Sequence, residues 1–229
     1  MPDAPFEAEI AVSGGRVPLA RGFFSRPSPV VAQALLGCYL VRLLHDQEIR
    51  VLITETEAYL GTSDPASHAF RGRTSRNAPM FGEAGFAYVY FIYGMHHCLN
   101  VVTGMSGDPQ AVLFRGAVEM GEGGELRLEG PALLCCTLEI DLACNGLDLC
   151  RPGVGAIWFE AGPDAPWCHE VTPRVGVRDP SLLRFVAKGR AATSRTRTNK
   201  KERAPQGSLR KYAVPKAPVP TDQPEQETS

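Results

Sequence analysis

No lysine occurs before Lys188 in this 229-residue chain, although arginine is spread along its length. The preceding residues therefore offer no side-chain amine for Schiff-base chemistry, which needs such a nucleophile. Removal of Met1 would expose the secondary amine of Pro2, but the loose residues expected before the core argue against its use. Long apolar runs are missing too: nothing approaches the roughly 18 residues of a membrane span, and the N-terminus has neither the basic start nor the apolar stretch of a secretory signal. A soluble, intracellular, monomeric protein without membrane contact is expected, cytoplasmic and nucleoid-associated in a bacterium or nuclear in a eukaryote. The seven cysteines (38, 98, 135, 136, 144, 150 and 168) are odd in number and lack paired C-x2-C spacing. They read as free, mostly buried thiols, with no structural zinc and no other metal.

What is present is ordinary in amount and uneven in distribution. A hydrophobic fraction of 44% and a charged fraction of 21% fit a globular protein with one substantial core. The net charge of -1 hides a split: residues 1–183 hold 13 Lys/Arg against 21 Asp/Glu, whereas residues 184–211 hold 10 basic residues against Glu202 alone. That separation suits a polyanion on one side of the molecule, and RTRTNKKER at 195–203, with Arg195 and Arg197, is its densest part. A solvated basic tail explains the same composition.

Ser28 before Pro29 reads as an N-cap and a first-turn proline, and the apolar residues to Leu36 meet Gly37 as a stop, predicting a short helix. Residues 38–44 and 49–57 are apolar and β-branched on either side of the polar 45–48, a hairpin pattern. Residues 86–93, 98–103 and 111–119 are further strands, Pro131 opens a helix to Ile140, and residues 141–180 alternate short strands with loops, one strand covering 156–160. Residues 182–186 form a short helix or strand. Residues 60–85, rich in Gly, Pro, Ser and Asp, carry Arg71, Arg73 and Arg76 on irregular chain of a length that usually binds something. The expectation is a single α+β domain over 16–200, with a curved, largely antiparallel sheet and surrounding short helices. A loose segment over 1–15 precedes it, and a basic then Pro-rich disordered tail over 201–229 follows.

Three patterns carry chemistry. VLITETEAY puts Glu55, Glu57 and Tyr59 on one side of an unbroken strand; a carboxylate there is either solvated at the strand's mouth or partly buried, and in the second case it can take a proton from water. The pair also fits the two-carboxylate arrangement of sugar hydrolysis. Arg115 interrupts a strand apolar on both faces, so its guanidinium needs a carboxylate or a phosphate. Tyr88 and Tyr90 share a face, Tyr93 has opposite parity and precedes Gly94, and Asn100 is a polar group inside an apolar strand that needs partners.

Taken in order, ETEAY (55–59), His68, R-x-x-R-N (73–77), Met80-Phe81, YVYFIYGMHHCLNVV (88–102), LFR (113–115), EGPALLC (129–135) and PRVGV (173–177) resemble the 3-methyladenine DNA glycosylases of the alkyladenine type. The resemblance runs from about residue 16 to 194 and leaves out the tail. It implies a single mixed domain that flips alkylated purines, and in some members hypoxanthine or ethenoadenine, out of duplex DNA and hydrolyses the N-glycosidic bond with no cofactor and no lyase step. It implies Glu57 as the water-activating carboxylate with Arg115 beside it, Tyr59, His68 and Tyr90 around the flipped base, Asn100 as the pocket amide, and Tyr93 as the wedge in the minor groove. Arg71, Arg73, Arg76, Arg195 and Arg197 are candidates for the DNA backbone. Two other readings stand beside this one: a DNA-binding protein of the same fold without catalysis, and a small-molecule hydrolase using Glu55 and Glu57 as a pair.

Overall fold

In a computed structural model the described residues are 17–121, 124–152 and 156–189. The two chain ends, with Arg195, Arg197 and the basic run, lie outside them. Two long strands organise the rest. The first is β2 (Gln47–Tyr59), reached from β1 (Tyr39–Leu44) through His45 and Asp46. Both of these residues have positive φ, +47° and +63°. A two-residue turn of that hand matches the twist of antiparallel strands, which makes the hairpin tighter than the four-residue polar stretch suggested. The second long strand is β5 (Gln110–Gly121), paired along one edge with β2.

Each long strand divides its other edge between two neighbours. For β5 these are β4 (His96–Thr103), which continues to β3 (Ala87–Ile92), and then β6 (Gly124–Glu129). For β2 they are β1, which continues to β7 (Ile157–Glu160), and then β9 (Arg184–Ala187), itself paired with β8 (His169–Thr172). All nine strands among the described residues belong to this one sheet, every pairing is antiparallel, and the sheet curves into a half-barrel.

Short helices pack around the sheet. α1 (Arg21–Phe24) and α2 (Ser28–Ala34) precede β1, and α3 (Pro131–Thr137) follows β6. Ser28 is not the cap of α2. That position is Pro27, because Ser28 is buried and its hydroxyl donates to the Tyr59 carbonyl at 3.1 Å, while its N–H donates to Gln110 Oε1 at 2.8 Å. Gly37 does serve as the stop: its φ is +86°, and a Cβ there would lie 2.7 Å from the Trp167 ring. α3 ends at Thr137 and not at Ile140, since Glu139 takes a φ of +48° and reverses the chain. Residues 184–187 resolve the helix-or-strand alternative as strand.

Between α2 and the sheet, Phe114 stacks on Phe159 at 5.1 Å between ring centroids and Phe24 packs on the same ring at 5.6 Å. Burying one such side chain contributes about 1.5–3 kcal/mol, so this face is closed core. No helix among the described residues is long and apolar enough to cross a membrane. The seven cysteines are free; four are buried, with Cys136 and Cys168 exposed.

Candidate active site

Cross-strand register gathers the polar residues on the opposite face. Tyr88 pairs with Asn100, Asn100 with Leu113 and Leu113 with Glu57, while Tyr90 pairs with Cys98 and Tyr59 with Ala111. Directly paired residues point to the same side of a sheet. Three strands, β3, β4 and β2, the last two linked through β5, therefore deliver Tyr88, Tyr90, Asn100, Glu57 and Tyr59 to one surface.

Residues 60–85, which contain only two 3-10 turns (Gly61–Ser63 and Ala78–Phe81), fold over that surface and bring His68 with them. The result is a pocket of about 330 Å³, counting its open mouth, lined chiefly by Tyr59, His68, Met80, Tyr88, Tyr90 and Asn100. The His68 ring stands edge-on to Tyr90 at 4.5 Å and 75°, and its Nδ1 lies 2.9 Å from the Tyr88 hydroxyl. Burial, and after it the Arg76 cation, holds the His68 pKa below its ordinary value, so the ring is predominantly neutral near pH 7. Burial pushes Tyr88 up to about 12 and raises Tyr90 further, with the neighbouring Cys98 thiol adding to the effect. Asn100 donates from Nδ2 to the Tyr88 carbonyl at 2.9 Å. The walls are thus aromatic, un-ionised and fixed by short polar contacts.

Behind Tyr59 lies a cluster of buried charges. Glu57 is fully buried. Its Oε1 accepts from the Val175 N–H at 2.7 Å and lies 3.3 Å from Arg115 Nε; its Oε2 accepts from the Tyr59 hydroxyl at 3.0 Å and from Arg115 Nη1 at 3.5 Å. Burial raises the Glu57 pKa and outweighs the lowering by Arg115, Val175 and Tyr59; Glu55 adds to the rise. A buried carboxyl so poised is the form a general base takes. Neither Glu57 nor Arg115 is on the pocket wall. Tyr59 joins the two compartments, lining the pocket with its ring and bonding Glu57 with its hydroxyl.

Glu55 does not face the pocket. Local irregularities in the β2–β5 pairing surround it, and its Oε1 accepts from Arg115 Nε at 3.2 Å and from Arg184 Nε at 2.6 Å. That arrangement removes Glu55 from a paired-carboxylate role. A second knot lies at the end of β2: Arg174, fully buried in its side chain, holds Asp64 through two hydrogen bonds of 2.5 and 2.9 Å, Asp179 at 2.6 Å and the Ala58 carbonyl at 3.0 Å. Its guanidinium lies 4.6 Å from the Tyr59 ring centroid.

At the sheet's corner Tyr93 and Gly94 join β3 to β4, with the Met95 N–H donating to the Ile92 carbonyl at 3.3 Å. Both central residues have positive φ, +51° and +73°. For a tyrosine this conformation costs on the order of 1–2 kcal/mol. Its side chain is 90% exposed, the most exposed large hydrophobic among the described residues. Arg71 and Arg73 are exposed on the 60–85 segment; Arg76, also exposed, donates to the Phe91 carbonyl at 3.1 Å and lies 5.6 Å from the Tyr90 centroid.

The structure therefore brings Glu57, Arg115, Tyr59, His68, Tyr90 and Asn100 together, and sets Tyr93 apart on a protruding turn. Sequence reasoning missed Tyr88, Arg174, Val175 and Arg184 as parts of the site. Arg184 was findable, since LLRFVA repeats the signal of Arg115, a guanidinium inside an apolar strand. The Val175 contribution is a backbone N–H and has no side-chain signature.

The family profile described as methylpurine-DNA glycosylase matches residues 22–191 of this chain. A Streptomyces avermitilis protein that carries the name 3-methyladenine DNA glycosylase is 49% identical over 176 residues, covering 71% of this chain and 82% of its own. Proteins of the same name from Methanocella arvoryzae and Rickettsia peacockii are 44% and 49% identical, covering 69% and 70% of this chain and 84% of each of theirs.

Proposed function

Since the chain belongs to the methylpurine-DNA glycosylase family, we propose that it removes alkylated purines such as 3-methyladenine and 7-methylguanine from duplex DNA by base flipping and attack of an activated water, as a step of base excision repair. The observation that carries this reading is the buried Glu57, its proton affinity raised, held against Arg115 directly behind an aromatic pocket. An alkylated purine is cationic, and a cation over an aromatic face gains on the order of 0.5–2 kcal/mol per favourable contact. The same charge makes the base a good leaving group, so little acid assistance is needed. Glu57 takes a proton from water as its oxygen bonds C1′; the electron pair of the breaking C1′–N bond returns to the base ring, and a free base and an abasic sugar result. Hypoxanthine or ethenoadenine, being neutral, needs protonation to leave, and a His68 whose pKa is held below its ordinary value is poorly suited to that role.

Tyr93, strained outward, fills the gap left by the flipped nucleotide and offsets part of an unstacking cost of a few kcal/mol. Arg71, Arg73 and Arg76 hold phosphates. Tyr93→Ser should lower excision from a duplex about tenfold, equivalent to about 1.4 kcal/mol, and change release from single strands far less. Equal losses on both substrates would remove the wedge role.

Lesion-containing oligonucleotides, analysed with and without alkali, test the whole reading. Base release with strand cleavage only after alkali is the expected result; nicking without alkali would mean lyase chemistry, and binding without release would mean a non-catalytic DNA-binding protein. The rate on a cationic lesion should also rise with pH through the ionisation of Glu57, because the deprotonated form is the base. Its midpoint should lie above the ~4.3 of a free glutamate, burial being the cause. A single-turnover rate independent of pH between about 4 and 8 would contradict this assignment.

A further inference from the structure

The buried charges behind the pocket form a set of two carboxylates and two guanidinia, and only one of the four has a place in the water attack through its carboxylate. Glu55 competes with Glu57 for Arg115: the same Nε lies 3.2 Å from Glu55 Oε1 and 3.3 Å from Glu57 Oε1. What tips the competition comes from far along the chain. β9 pairs with β2 so that Arg184 lies opposite Glu57 in register, yet its side chain reaches Glu55, with Nε at 2.6 Å, against 3.2 and 3.3 Å from Arg115 Nε to Glu55 and Glu57.

We propose that Arg184 is a positioning residue: by neutralising Glu55 it keeps Arg115 available to Glu57, and so sets the charge that Glu57 feels during catalysis. This rests on Glu57 acting as the base. The groups facing Glu57 are Glu55 and Tyr59 from its own strand, Arg115 from β5, Cys98 from β4, the Val175 N–H and neighbouring Arg174 from the chain before β9, and Arg184 from β9. Among the described residues, Arg115 and Arg184 are cations hydrogen-bonded to the pair Glu55 and Glu57. Take one away and two buried carboxylates share a single guanidinium. Like charges so placed do not both ionise readily, and the pair gives up its last proton at a higher pH.

The test is the pH dependence of single-turnover base release for the wild-type chain, Arg184→Gln, and the double variant Glu55→Gln/Arg184→Gln, with affinity for lesion DNA measured alongside. In Arg184→Gln the acid limb should move up by about one pH unit, a roughly tenfold loss on that limb that is largely recovered at the alkaline plateau. Removing the rival carboxylate as well should bring the limb back to, or below, its wild-type position. A limb unmoved in the single variant, with rates lowered equally at every pH, overturns the proposal and leaves Arg184 a purely structural group. A limb as far displaced in the double variant as in the single one overturns it too. If the single variant does not fold, the double variant, which removes one charge of each sign, still decides: its limb must not lie above that of the wild type. The underlying role of Glu57 fails separately, through full chemistry in Glu57→Gln whatever the Arg184 profiles show.

Discussion

Glu57→Gln should lower the single-turnover rate of base release by about 10²- to 10⁴-fold, the usual worth of a positioned acid or base, while affinity for lesion-containing duplex stays within a few-fold. Glutamine has nearly the same shape, and its carbonyl oxygen can still accept from the Val175 N–H, which donates to Glu57 at 2.7 Å. Arg115 keeps Glu55 as an ion-pair partner, so the guanidinium is not stranded. The pocket walls are built from Tyr59, His68, Tyr88, Tyr90 and Asn100, none of which needs a charge at position 57. Only the ability to accept a proton from water is gone. A variant that retained near-wild-type chemistry would transfer the base role to another group and take the proposed mechanism with it.

Arg174→Met should destabilise the fold by about 3–5 kcal/mol, the range for a buried ion pair left with one partner, and lower Tm by roughly 10 °C for a domain of this size. Arg174 and Asp64 are both almost wholly buried and joined by two hydrogen bonds. Without the guanidinium, Asp64 would hold its charge on the N–H groups of Leu60 and Ala66 alone. Burial works against the ionised Asp64, but hydrogen bonds from Arg174, Ala66 and Leu60 outweigh it and keep the carboxyl below the usual range. A depressed folded-state pKa stabilises above the unfolded value and loses that contribution as pH falls through the folded one. The gap between wild type and variant should therefore be widest above about pH 4 and narrow in acid. Thermal melts across that range check both parts, and a constant gap would mean that lost packing, not lost charge, is responsible. Asp64→Asn added to Arg174→Met should recover part of the loss, because the carboxylate that stays charged, Asp179, is the more exposed of the two. Activity should fall beyond what stability explains, since the same guanidinium lies over the Tyr59 ring and the next residue holds Glu57.

The sheet was largely readable in advance because its strands announce themselves by burial. β2 from Val51 onward and the centre of β5 are buried on both faces, and Glu57 and Arg115 stand out in them as charges that need a reason. Local propensity was less reliable where tertiary contacts decide. β6 alternates Glu125, Leu126, Arg127 and Leu128 in a stretch too polar to predict as strand, and exists because the free half of β5 needs an edge partner. β8 likewise forms against β9. Ser28 fits a cap by residue type, but a carbonyl at the end of β2 claims its hydroxyl. In the site, parity on β3 put Tyr88 and Tyr90 on one face, but it was the family resemblance that assigned Tyr59, His68 and Tyr90 to a pocket, and it left Tyr88 out. Whether Glu55 pairs with Glu57 stayed open in the sequence, because strand periodicity shows which side a carboxylate faces and not which cation from a distant strand meets it. Arg174 and its two aspartates belong to loops, where no period exists to mark them.

One property of the fork in β2 reaches beyond geometry. The half of its edge beside Glu55 and Glu57 is completed by a four-residue strand whose arginine is 129 positions away from its carboxylate. Contacts that remote carry a loop-closure cost before they repay it, so the pairing of β2 with β1 does not have to wait for Arg184 to reach Glu55. Short peripheral strands are also among the first to open in transient excursions. Lifting β9 would take Arg184 away from Glu55 and so move the proton affinity of Glu57 upward, while the longer strands of the sheet stay paired.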